Sequence, residues 1–318
     1  TFAIGGAVAE AQQPTKVPRI GFLDGGTASG IAGLLEAFRQ ELSKLGWIEG
    51  KNITIEYRSA EQKPERVPEL TADLVRLKVD LIVVTSGPPA LAAKGATTTI
   101  PIVMKTVADP VGAGLIASLP RPGRNVTGMS SLANELNSKR LEILKDAIPK
   151  LARIGFLRVR PVVGLAPHLQ LKEIRPAALA LKLKLEEIET HLDTQGLESA
   201  FQTAKQKQVN AIMTMSTRGF FAERKRIVEL ADKYRFPAIY PEKGFVDEGG
   251  LMSYGVDSVD LFQRAAVYVD KILKGAKPAD LPVQQATKFE FVINLKAAKQ
   301  IDLTIPPRVL ERANQVIK

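Results

Sequence analysis

The stretch Asp109-Pro110-Val111-Gly112-Ala113-Gly114-Leu115-Ile116-Ala117-Ser118-Leu119-Pro120-Arg121-Pro122-Gly123-Arg124-Asn125-Val126-Thr127-Gly128 decides how this chain is divided. Its three prolines and four glycines deny it any long regular element. Proline removes a backbone donor and fixes φ, and glycine pays the most entropy for being ordered. A short apolar strand, 100–104, leads into it. We read it as the first crossing between two lobes, with Asp109 at the cleft and Arg121 and Arg124 on the outer surface.

Strands and helices alternate on both sides of this segment. Upstream, strands are read at 17–23, 53–57, 81–84 and 100–104. Between them, Ile31, Leu34, Leu35, Phe38, Leu42 and Leu45 recur at helical spacing with Gly46 as the stop, and further helices are read at 64–77 and after Pro89. Downstream come helix 135–147, strand 153–157, helix 169–181, strand 183–188, helix 196–206, strand 210–215, one long helix 220–234 and strand 237–240. Gly249-Gly250-Leu251-Met252-Ser253-Tyr254-Gly255 reads as the return crossing, and helix 258–273 rejoins the first lobe. Strand 288–294 would cross a third time, and 306–317 reads as a short amphipathic helix opened by Pro306-Pro307.

The expected fold class is α/β: two Rossmann-like lobes with mostly parallel sheets, joined by three hinge crossings. The lobes are expected at 16–126 with 255–286, and at 127–254 with 287–318. Ligands of such sheets sit beyond the carboxyl ends of the strands, so the informative first-lobe loops are 24–29, 85–89 and 105–109.

Composition narrows the class. The net charge of +10 is spread along the chain, with no basic stripe or base-reading motif, which argues against nucleic acid. No run approaches the length of a membrane span. There is no cysteine. Residues 2–11 resemble the end of a secretory apolar region running into an Ala-x-Ala site, with cleavage after Ala11, which implies export.

Catalytic constellations are missing. There is no Gly-x-Ser-x-Gly elbow, Walker loop, dinucleotide fingerprint or metal-spaced histidine pair, so neither an enzyme nor a cofactor or metal is expected. Glu186, Glu187 and Glu189 read as a solvated strand face. Binding chemistry is better represented. Thr27, Ser29, Thr85, Ser86 and Ser216 place hydroxyls near helix N-termini, where free N–H groups favour an anion. Asp24, Lys105 and Asp109 follow first-lobe strands; Arg158, Arg160 and Arg218 follow second-lobe strands. Arginine's fork suits a carboxylate, and Tyr240 and Tyr254 could supply an aromatic wall. Trp47, in the turn at the opposite end of the sheet, reads as a structural cap.

Leu45-Gly46-Trp47-Ile48-Glu49-Gly50-Lys51-Asn52-Ile53-Thr54-Ile55-Glu56-Tyr57-Arg58 resembles a hallmark of ABC-transporter substrate-binding proteins related to tryptophan/tyrosine-binding proteins. So do Ala96-Thr97-Thr98-Thr99-Ile100-Pro101-Ile102-Val103, the segments 109–128 and 249–255, and Phe289-Glu290-Phe291-Val292-Ile293-Asn294. The resemblance implies a type I periplasmic-binding-protein fold. It also implies a monomer in the periplasm that closes over a small molecule and delivers it to an inner-membrane ABC permease. Two departures add positive charge at the mouth: Arg158-Val159-Arg160-Pro161 stands where relatives carry an Asn-Pro turn, and Ser216-Thr217-Arg218-Gly219 replaces an acidic, apolar loop. They argue against carrying over tryptophan or tyrosine as the ligand and point to a carboxylate, an amino acid or an aromatic or aliphatic acid, held partly by these arginines. The alternatives are a ligand-sensing module for a receptor or kinase, and a cofactor-free α/β enzyme.

Overall fold

The computed structural model describes residues 16–131, 135–159 and 168–318. The expected leader at 1–15 and Arg160 lie outside the described residues. The first lobe opens with β1 (Arg19–Asp24), α1 (Ala32–Lys44), β2 (Thr54–Ser59), α2 (Val67–Arg76), β3 (Leu81–Val84), α3 (Gly87–Ala96), β4 (Ile102–Val107) and β5 (Val126–Ser130). The second holds α4 (Glu135–Ala147), β6 (Arg153–Val159), α5 (His168–Ala180), β7 (Lys184–Thr190), α6 (Thr194–Gln206) and β8 (Ala211–Thr214). It continues through α7 (Arg218–Ala222), α8 (Arg224–Lys233), β9 (Ala238–Tyr240), α9 (Gly244–Asp247) and β10 (Met252–Val256). The chain returns to the first lobe with α10 (Ser258–Leu273) and β11 (Gln284–Gln285). It ends in the second with β12 (Phe289–Asn294), α11 (Leu295–Gln300), α12 (Pro307–Leu310) and β13 (Gln315–Ile317).

The first sheet has the order β11-β5-β4-β3-β1-β2 and is parallel throughout. Alternation along β1 builds both of its cores. Phe22 meets Phe38 of α1 and Phe262 of α10, with ring centroids 5.7 and 6.4 Å apart, while Leu23 joins Leu74 of α2 and Ala90 of α3 on the other face. Every residue of β3 is buried, as a central parallel strand requires. The second sheet has the order β13-β12-β10-β9-β8-β6-β7, parallel except where β12 runs against β10.

The 109–128 segment is not itself the crossing. Leu115 and Ile116 are buried in the first lobe's core, and the Ala117 N–H closes a loop onto the Pro122 carbonyl. Val126–Ser130 then pairs with β4 as part of the same sheet. Gly128 allows this, because its φ is +126° and a Cβ would collide with the Met104 backbone. The chain therefore leaves the first sheet after Ser130, not at 126. Likewise the Gly249–Gly255 return is largely β10, which stays in the second sheet through Val256. The crossings lie side by side: the Ala286 N–H donates to the Ser130 carbonyl at 2.9 Å, and the Asp257 N–H to the Lys288 carbonyl at 3.0 Å.

Three further elements differ from the sequence reading. The long helix 220–234 is two helices, α7 and α8, separated at Glu223. The C-terminal helix stops at Leu310. Asn314 then bonds Phe291 through both its backbone N–H and its side-chain Oδ1, which turns the chain into β13. The short elements α9, β11 and α11 carry too few residues to show a period.

Candidate functional site

The carboxyl ends of β1, β3 and β4 face those of β8 and β9 across the seam between the lobes. Asp24 closes β1 and is 1% exposed. Its Oδ2 accepts the Gly26 N–H at 2.8 Å, and its Oδ1 accepts the hydroxyl of Thr85, the residue after β3. From the other lobe, Nε of Arg218 lies 3.7 Å from the same Oδ1. Arg218 is the first residue of α7, whose N-cap Thr217 accepts the Phe220 N–H. Its guanidinium is 5.2 Å from the centre of the Phe221 ring, and a Cβ on Gly26 would lie 3.3 Å from its Nη2. Arg218 is thus held against the first lobe by charge and by shape.

Lys105 lies near the end of β4 and is 5% exposed. Its Nζ sits 4.7 Å above the Phe262 ring. Burial pushes this ammonium down to about 8; Glu242 and Asp24 oppose the shift, and Arg218 adds to it. Charges of both lobes therefore converge on one buried cation that has no ion-pair partner among the described residues. Glu242, two residues past β9, is the second-lobe carboxylate in this group.

Behind the second-lobe loops lies Arg140 of α4, only 2% exposed. Its Nε donates to the Tyr254 carbonyl at 2.6 Å and its Nη1 to Asn137 Oδ1 at 2.7 Å. Burial pushes this guanidinium down to about 10, against the pull of Glu242.

The other expected site residues divide. Ser86 caps α3 without using its hydroxyl, close to Gly25 and Thr85. Ser216 belongs to the site through its backbone, which is bonded on both sides by Gln170. Thr27, Ser29 and Asp109 serve their own turns: Thr27 Oγ1 accepts from Gly30 and from Ser29, and Asp109 Oδ1 accepts the Gly112 N–H. Arg158 is engaged within its own lobe. β6 extends through Val159, so Arg158 lies opposite Glu189 and pairs with Glu187 at 3.3 Å and Glu189 at 2.9 Å. The expected solvated acidic face is thus a ladder of ion pairs, which also takes in Arg153, Arg175, Lys184 and Lys207.

Tyr240 is not a cleft wall. It is buried and stacked on Phe245 at 4.6 Å, with its hydroxyl unpartnered, and burial pushes its phenol up. Tyr254 packs on Phe289 and Phe291 and meets Arg140 through its carbonyl. Trp47 ties α1 to α10, its indole N–H donating to Asp270 at 2.9 Å. A hollow of about 380 Å³ lined by Lys94, Leu115, Ile116 and Arg124 lies at the amino ends of β4 and β5, away from all these charges.

Glu242, Arg140 and Phe262 escaped the sequence reading. Glu242 carries the same signal as Arg218, a charge just past a strand. Arg140 carries another, an arginine in register with Leu136 and Leu144 on the apolar stripe of α4.

Two lobes with mostly parallel sheets joined by three crossings, with charged strand ends facing across the seam, define a two-lobed binding protein. Residues 28–317 match the family model "ABC transporter substrate binding protein", and the chain belongs to that family. A tyrosine-binding protein of Clostridioides difficile (strain R20291) is 28% identical over 268 residues, covering 84% of this chain and 76% of the relative. A Streptococcus pneumoniae ABC domain crystallised in complex with L-Trp is 27% identical, with a TM-score of 0.85, covering 94% of this chain and 99% of that one. A ligand-free, open substrate-binding protein with adhesive properties from Clostridium difficile is 25% identical, with a TM-score of 0.69, covering 95% of this chain and all of that one. Members of this family bind small ligands and work with ABC permeases; they are binding proteins, not enzymes.

Proposed function

We propose that this protein captures a small zwitterionic carboxylate, an aromatic amino acid or a close analogue, in the seam between its lobes. It then presents the ligand to the permease of an ABC importer. The observation that carries this reading is Lys105, a buried ammonium over the Phe262 ring without an ion-pair partner among the described residues, within electrostatic reach of Asp24, Arg218 and Glu242. A ligand carboxylate arriving there meets Lys105 and the Arg218 fork, and Glu242 is available to a ligand ammonium. Charge-assisted bonds of this kind are the strong ones, and a desolvated seam strengthens them. The tyrosine-binding relative and the L-Trp complex support an amino acid.

The protein acts as a monomer in the periplasm, after export. The family and the secretory-like residues 2–11 support export, and no helix among the described residues is long and apolar enough to cross a membrane.

Calorimetric titration with L-tryptophan, L-tyrosine and their decarboxylated amines tests the reading. The amino acids should bind and the amines should bind at least a hundredfold more weakly. Lys105→Met should weaken amino-acid binding by at least tenfold. Equal binding of amines and amino acids would remove the carboxylate from the proposal.

A further inference from the structure

A chain of polar groups, buried at its Arg140–Asn137 end, joins the hinge to the cleft. Arg140 donates through Nε to the Tyr254 carbonyl of β10, three residues before the crossing at Asp257. Its Nη1 donates to Asn137 Oδ1, and Asn137 Nδ2 donates to Gln170 Oε1 at 3.2 Å. Gln170 then grips Ser216 on both sides: its Oε1 accepts the Ser216 N–H at 2.9 Å, and its Nε2 donates to the Ser216 carbonyl at 3.1 Å. Ser216 is two residues before Arg218.

The order of donors and acceptors is forced from one end. A guanidinium only donates, so Asn137 must offer it oxygen and turn its NH2 group toward Gln170. Gln170 must then present oxygen to Asn137, which leaves its NH2 group for the Ser216 carbonyl. Reversing either amide would set donor against donor in a site where Asn137 is fully buried and Arg140 nearly so. The donor-only guanidinium of Arg140 at one end and the Ser216 backbone at the other therefore demand the same orientation of Gln170.

We propose that Gln170, oriented by Arg140 through Asn137, is a positioning residue. It sets the Ser216–Arg218 loop so that Arg218 meets Asp24 of the other lobe, and it ties that contact to the hinge strand β10. The proposal extends the reading of the seam as the binding cleft, but its test needs no ligand.

The chain has no cysteine, so a spin-label pair can be attached cleanly at Leu91→Cys on α3 and Gln206→Cys on α6. Pulsed electron resonance on the ligand-free protein then reads the ratio of closed to open lobes in the parent, Arg218→Ala, Gln170→Leu and the double variant. Arg218→Ala should lower the ratio about fivefold and Gln170→Leu about threefold. The double variant should fall no further than Arg218→Ala alone, because both changes remove one contact.

Multiplying effects, or a Gln170→Leu ratio within twofold of the parent, would overturn the proposal; so would an Arg218→Ala ratio equal to the parent's. A purely structural role would lower the melting temperature of Gln170→Leu without that non-additivity. If Gln170→Leu does not fold, Gln170→Glu takes its place. It still accepts from Ser216 and Asn137 but cannot donate to the Ser216 carbonyl, and it must show the same non-additivity at smaller amplitude. The amino-acid titrations above stand apart: their failure would leave this cycle intact, and the reverse also holds.

Discussion

Lys105 gives up stability for position. Its ammonium is held near 8 by burial, against an unfolded value of 10.5. The unfolded chain therefore binds more protons than the native one between those values, and this residue's contribution to stability rises as pH climbs from about 8 to 10.5. Below that window the full cost of burying the charge is present, on the order of 3 kcal/mol. Lys105→Met, similar in volume and uncharged, should therefore stabilise the protein at pH 7 by about 1–3 kcal/mol while impairing ligand capture. The gain should shrink toward zero by pH 10.5, and urea titrations at pH 7, 9 and 10.5 read it directly. A gain that does not change with pH would mean that Lys105 is solvated in the native protein. Asp24 has the opposite circumstances: Gly26, Thr85 and Arg218 surround its carboxylate, so it is buried with its partners supplied.

At the scale of elements, Gly128 shows why β5 is hard to read. It sits inside the strand at φ +126°, where the β4–β5 register also shifts between Met104 and Val107. Gly128→Ala should cost about 3 kcal/mol or more, because a methyl group meets Met104 backbone that cannot move aside and the φ is strained as well. Chemical denaturation checks this; a loss below about 1 kcal/mol would show that β5 can leave the sheet. In sequence the same glycine belongs to a run of breakers, so the strand is hidden by the residue that permits it. The continuous apolar run of β3 and the helical spacing of α1 carry no such conflict, and both are plain from sequence. The same logic divides the site. Lys105 and Arg218 follow from the rule that ligands meet strand ends. Arg158 satisfies that rule only if β6 stops early, and pairing with β7 extends it. The Arg140–Asn137–Gln170 chain joins two helices to a strand and a loop, and no local pattern records which helices will meet.

For the whole molecule, the arrangement of the lobes is itself informative. Identity and coverage are nearly equal for the L-Trp complex and the open, ligand-free relative, yet the TM-scores are 0.85 and 0.69. Lobes that stay rigid lose overall superposition when they rotate about a hinge, and this structure superposes better on the L-Trp complex than on the open, ligand-free relative. Among the described residues, the ion pair that bridges the charged seam is Asp24–Arg218, at 3.7 Å with Arg218 17% exposed. A pair of that kind contributes about 1 kcal/mol at best, roughly a fivefold bias toward closure. L-Tryptophan at a hundred times its Kd would add about 2.7 kcal/mol, a further hundredfold. Without ligand, then, both arrangements should be populated in solution, and ligand should leave essentially one. Small-angle scattering should show the radius of gyration falling on addition of L-tryptophan. Arg218→Ala should start from a larger radius and, once saturated, reach the same final one. If the parent and Arg218→Ala share one ligand-free radius at low salt, the bridge does not bias the lobes, and closure rests on the ligand alone.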